Sequence, residues 1–181
     1  MRIKKLNAWL ALITAALLLI HETYQLFAFI LFYYNPVMTK ILGYSLALAF
    51  VLHGILSAYC LFVLHDSKSV AYKKMNIKTV LQRISGMAML LLLPLHICSF
   101  LLLQRSAGTI IFYLILASQV LFYAAINCHV AVSFSSAFIT LGYLEDMDKK
   151  DRIDRTAWAI SALLLITTSV VVISGYTKMF G

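Results

Sequence analysis

The chain has 181 residues, of which 62% are hydrophobic and 12% charged, with a net charge of +8. A soluble domain of this length cannot hide that much apolar surface, so composition points to a bilayer. The positive charge sorts by loop, so it reads as a topology signal and calls for no nucleic acid.

Five apolar stretches are predicted in chain order: Ala8–Tyr34, Ile41–Leu64, Val80–Leu103, Thr109–Leu141 and Trp158–Tyr176. Each is long enough for a hydrocarbon core about 30 Å thick, which takes roughly 20 helical residues. The first follows Arg2, Lys4 and Lys5 like a signal peptide. Its apolar run is too long for one, and no small-residue cleavage site follows, so it counts as a helix. No internal repeat, domain boundary or low-complexity segment is visible. The expectation is an all-α, five-transmembrane-helix bundle forming a single membrane domain over residues 1–181.

Basic residues orient it. Arg2, Lys4, Lys5, Lys68, Lys73, Lys74, Lys78, Arg83, Lys149, Lys150, Arg152 and Arg155 fall on one side, and Lys40, Arg105 and Lys178 on the other. The richer side is cytoplasmic by the positive-inside rule, with the N-terminus inside and the C-terminus outside. The segment Glu145–Arg155, with five acids and four bases, reads as a solvated loop on that side.

Four helices carry one histidine each: His21, His53, His96 and His129. Strongly polar side chains inside a bilayer are costly and usually functional. At about 1.5 Å of rise per residue, His21 lies about 20 Å and His96 about 24 Å above the cytoplasmic face. His53 lies about 18 Å and His129 about 30 Å from the outer ends of their helices. The arithmetic sorts them into an outer pair, His21 with His96, and an inner pair, His53 with His129. Two such pairs are what two stacked, non-covalent b-type hemes require as axial ligands. The competing reading is four interhelical hydrogen bonds. His65, beside Asp66 at the water interface, is solvated or touches a propionate. Gly54, Ser57 and Ser133, close after His53 and His129, leave room for a planar ring or pack helices closely.

Cys60, Cys98 and Cys128 sit singly in three helices, and no Cys-x-x-Cys-His occurs, which excludes covalent heme attachment. In Leu81-Gln82-Arg83-Ile84-Ser85-Gly86, Arg83 offers a fork of donors suited to a heme propionate. Ser85 adds a hydroxyl, and Gly86 removes bulk. Arg83 as a snorkelling topology anchor is the alternative.

With His96 fourteen positions after Gln82, this segment resembles the third-helix motif of the diheme cytochrome b membrane anchor of succinate:quinone oxidoreductases and quinol:fumarate reductases. Leu18–His21, the second helix around His53, and the run from His129 to Thr140-Leu141-Gly142 resemble the family's other ligand segments in order. Together the matches span most of the chain. The sequence departs from the pattern at Ser57 and Ser133, where the family often has Gly. It departs again at Asn127, where some members carry a proton-transferring Glu.

The resemblance implies a subunit of the cytoplasmic (inner) membrane of a prokaryote. It would pass electrons between menaquinone or another quinone and two cytoplasmic partners, an iron–sulfur subunit and an FAD-containing flavoprotein subunit. Succinate dehydrogenase or fumarate reductase activity would belong to the whole complex. This chain has no nucleotide fingerprint, no iron–sulfur cysteine cluster and no dicarboxylate chemistry, so whether it counts as an enzyme in itself stays open. Glu22, the one acid deep in a predicted helix, is a candidate quinone-site residue together with Tyr24 and Gln25, or a neutral hydrogen-bonding group. The alternative functions are a diheme cytochrome b of another membrane dehydrogenase, a heme-free structural anchor, and a small transporter or proton relay built on His and Glu22.

Overall fold

The computed structural model describes residues 2–31, 33, 35–63 and 73–180. It is all helical over these residues, with α1 (Arg2–Ile30), α2 (Pro36–Phe62), α3 (Lys73–Arg105), α4 (Ile110–Leu141) and α5 (Met147–Phe180). All five are long and apolar enough to cross a membrane. His65, Asp66 and Lys68 lie outside the described residues.

Helix ends differ from the apolar stretches because caps, not hydropathy, stop helices. α2 begins at Pro36, five residues earlier than predicted, since Asn35 is its N-cap. Asn35 Oδ1 accepts from Val37 N and Met38 N at 3.0 and 3.1 Å, and Pro36 fills the first position, where no N–H is needed. α5 begins at Met147, eleven residues early. Asp146 Oδ1 accepts from Asp148 N at 2.9 Å, and Lys150 pairs with Asp154 one turn on at 3.0 Å. The expected loop Glu145–Arg155 is therefore mostly the first turns of a helix. Its charges space as a solvated helix face and not as irregular chain.

The turns after α3 and α4 are short. α4 ends in a Schellman motif: Gly142 N donates to Ile139 O and Tyr143 N to Phe138 O. Gly142 sits at φ 85° and Gly108, in the α3–α4 turn, at φ 72°, where a side chain would be strained.

α4 buries polar side chains beside apolar ones such as Phe112 and Phe122, and leaves other apolar ones outside. Gln119, Asn127 and Ser135 of α4 are buried, while Ile110, Leu114 and Leu121 of the same helix are exposed. In hydrocarbon, polar groups have to find partners within the protein and apolar ones do not.

The chain divides into two compact units. The first comprises residues 1–76 and 133–156, and it holds the α1–α2 hairpin with the end of α4 and the start of α5. Trp9 meets Tyr143 edge-on there, at 6.2 Å between ring centroids. The second comprises residues 77–132 and 157–181, with most of α3, most of α4 and the rest of α5. Phe100 of α3 meets Phe180 of α5 at 5.6 Å within it.

Because Asn35 closes two N–H groups that lipid or interface would otherwise leave without acceptors, Asn35→Ala is expected to destabilise the protein by about 1 kcal/mol. Denaturant unfolding in detergent, followed by the fluorescence of Trp9 and Trp158, measures this.

Candidate functional site: the histidines of two hairpins

In the first unit, two contacts fix how α1 lies against α2. Asn7 Nδ2 donates to Ser57 Oγ at 3.1 Å, and Ser57 Oγ returns a bond to Asn7 Oδ1 at 3.3 Å. Ser57 is thus an interhelical partner, in place of the open space for a ring suggested by its size. Fourteen residues up α1 from Asn7 is His21, and fourteen residues back along α2 from Ser57 is Gly43. These two also meet: a Cβ placed on Gly43 would lie 3.8 Å from His21 Cε1. One antiparallel register satisfies both contacts. His53 is ten residues beyond Gly43. It therefore lies about 15 Å in depth from His21, at 1.5 Å per residue.

The second unit repeats the spacing. His96 of α3 meets Gln119 of α4, with Nδ1 and Oε1 2.9 Å apart. His129, ten residues after Gln119, meets the stretch ten residues and more before His96. Its Nδ1 lies 3.0 Å from Gln82 O and 3.3 Å from Ser85 Oγ. A Cβ on Gly86 would stand 3.3 Å from His129 Cε1 and 3.4 Å from Nδ1. Again the two histidines differ in depth by about 15 Å. With α2 starting at Pro36 and α4 at Ile110, His53 and His129 lie about 25 Å and about 28 Å from their helix starts.

Each expected pair draws one histidine from each unit. All four are half-buried.

The residues around His129 act on the ring itself. Ser85 is buried, and its hydroxyl donates to Leu81 O at 2.6 Å, so its oxygen can only accept from His129 Nδ1–H. Ser85, expected beside a propionate, makes this bond to His129. Gly86, expected to remove bulk in this segment, leaves room for the imidazole of His129. Arg83 is exposed.

Of the quinone-site candidates, Tyr24 points its hydroxyl at Asn35 O, 3.5 Å away. Glu22 Oε1 is buried without a hydrogen-bond partner, and so is Thr39 Oγ1. Gln25 is half-buried on α1, at the level of Thr39 in the hairpin register. Asn127 Nδ2 donates to Tyr123 O at 2.9 Å, occupying the position where some members of the resembled family hold a carboxylate. Among the described residues no cluster of three or more His, Cys, Asp or Glu forms a metal site. A heme brings four ring nitrogens and asks the protein for two.

Gly43 and Gln119 are the functional neighbours that sequence reasoning missed. Gln119 is an amide in an apolar helix, which is a signal in itself, but its partner emerges only from the helix register. No protein-family model, curated protein or solved structure matches the chain.

The two glycines separate by substitution. Gly43→Ala places its methyl at an ordinary contact distance and is expected to be nearly neutral. Gly86→Ala drives a methyl into a ring already bonded through Nδ1, an overpacking expected to cost about 1–3 kcal/mol. Denaturant titration of both variants in detergent tests the contrast.

Proposed function

We propose that this chain is a diheme cytochrome b membrane anchor, with His21 and His96 holding an outer heme and His53 and His129 an inner one. The observation that carries the reading is the repeated spacing. Each hairpin holds its two histidines ten residues apart in depth, so one step of about 15 Å serves both. Four unrelated interhelical hydrogen bonds have no reason to share that step.

The donor chemistry fits. With Nδ1–H directed to a protein oxygen, His96 and His129 each keep the lone pair on Nε2, the state a metal-binding imidazole needs. A bound heme b supplies one-electron chemistry through its ferric and ferrous states. The chain's contribution is to hold the imidazoles, exclude water, and place charge. Arg83, at the start of the apolar part of α3, is available to a propionate of the inner heme. Glu22 and Thr39 hold buried oxygens without partners in the outer half of the α1–α2 hairpin. An unmet buried polar group costs about 1–3 kcal/mol, which a quinol hydroxyl or quinone carbonyl would relieve, with Tyr24 and Gln25 nearby.

In this reading the N-terminus is cytoplasmic and the C-terminus outside, in the inner membrane of a prokaryote. Electrons pass between menaquinone or another quinone and cytoplasmic iron–sulfur and FAD subunits of a succinate dehydrogenase or fumarate reductase complex. The resemblance of the Leu81–Gly86 segment and of the histidine segments in order supports that assignment over another membrane dehydrogenase.

A pyridine hemochrome assay on the purified protein is expected to approach two hemes per chain, and a folded, colourless protein would sink the proposal in favour of a heme-free relay. In redox titration, His53→Ala and His129→Ala should abolish one midpoint, and His21→Ala and His96→Ala the other. Loss of the same midpoint in His21→Ala and His53→Ala would overturn the pairing. Arg83→Leu should lower the inner midpoint, because a nearby cation favours the more negative reduced state. Unchanged midpoints in the loaded variant would return Arg83 to a topology role.

A further inference from the structure

The histidines of the α3–α4 hairpin are held by acceptors of different kinds. His129 meets a backbone carbonyl and the Ser85 hydroxyl, whereas His96 meets the side-chain amide of Gln119. Gln119 is 1% exposed, so its amide is shut off from solvent.

A chain of hydrogen bonds sets the direction of that amide. Ser118 Oγ donates to Ile115 O at 2.6 Å, which leaves the Ser118 oxygen free to accept. Gln119 Nε2 donates to that oxygen at 3.4 Å. The other end of the amide, Oε1, then faces His96 Nδ1 at 2.9 Å. An oxygen opposite a ring nitrogen requires the hydrogen on the nitrogen. Every member donates to the next, from His96 through Gln119 and Ser118 to the backbone.

The ring is also clamped in the plane that this bond needs. Phe122 stacks on it at 4.5 Å and 25°, and Tyr123 meets it edge-on at 5.9 Å and 80°. A side chain wanted for volume alone in this apolar helix would be Leu, which carries no amide to satisfy.

We propose that Gln119 is a positioning residue that fixes His96 as the Nδ1–H tautomer and strengthens Nε2 as a donor, so that the group bound by His96 is tuned separately from the group bound by His129. The proposal rests on reading His96 as a heme ligand. An acceptor on Nδ1–H makes the imidazole more basic at Nε2. A stronger axial donor stabilises the ferric state and lowers the midpoint potential. Gln119 thus pulls the potential of one heme downward and leaves the other alone.

The test is a redox titration of the purified holoprotein with Gln119→Leu and Gln119→Glu, with heme quantitation and ferric low-spin EPR spectra of each. Gln119→Leu removes the acceptor and should raise one midpoint, shifting one of the two EPR signals. Gln119→Glu keeps the reach and is a stronger acceptor, so it should lower that same midpoint. The second midpoint should stay in place in both. If Gln119→Leu does not assemble, Gln119→Glu decides by itself: a downward shift confined to one heme supports the proposal, and no shift or a shift of both overturns it. Two loaded hemes with unmoved midpoints, or shifts of the same sign in both variants, would make Gln119 a packing residue while leaving the diheme reading intact. A wild-type protein without heme overturns the diheme reading, and this proposal with it.

Discussion

The register of two antiparallel helix hairpins is the constraint on which everything else depends. A helix of nearly thirty residues can slide along a neighbour with little change in apolar contact, because lipid covers whatever the neighbour does not. Polar side chains remove that freedom. The reciprocal Asn7–Ser57 pair and the His21–Gly43 approach agree on one alignment of α1 with α2. His96–Gln119 and His129–Gln82 agree on one alignment of α3 with α4. A shift by a single turn would carry His129 about 5 Å from the glycine that accommodates it. The depth of each histidine is thus a product of a few polar contacts acting on otherwise indifferent apolar surfaces.

Those contacts also bear on the competing readings. A proton relay needs polar groups that follow one another along a path. Here the polar groups beside His96 and His129 instead end in backbone carbonyls, at Ile115 and at Leu81 and Gln82. Such chains terminate within a turn of the ring and act to hold it. The different situation is at Glu22 and Thr39, where oxygens are buried without partners. That is the part of the molecule where a polar ligand of small size has most to offer.

The five helices were legible in the sequence because hydropathy over twenty residues is a strong signal. The starts of α2 and α5 were not, because an apolar window does not see a cap. Asn35-Pro36 and Asp146 are short polar signals that precede apolar runs by several residues, and they lengthened α2 and α5. The histidines were legible as costly residues, and their order in depth followed from rise per residue. Partners were not legible. Ser57 is read as room for a ring or close helix packing, Ser85 as a hydroxyl for a propionate and Gly86 as a loss of bulk; in the structure Ser57 meets Asn7, and Ser85 and Gly86 meet the ring of His129. Gln119 and Gly43 need a register between helices before they mean anything, and that information is held in pairs of residues rather than in any one segment.

One consequence follows from the glycine beneath His129. An imidazole on a helix ordinarily samples several rotamers, and a group that binds to it has to freeze that motion, at about 0.5–1.5 kcal/mol for a mobile side chain. With Gly86 against one edge and Gln82 and Ser85 on Nδ1, this ring has already lost its freedom when the hairpin folds. A group bound there would meet a donor fixed in advance, and the entropy of arrival would fall on the newcomer alone.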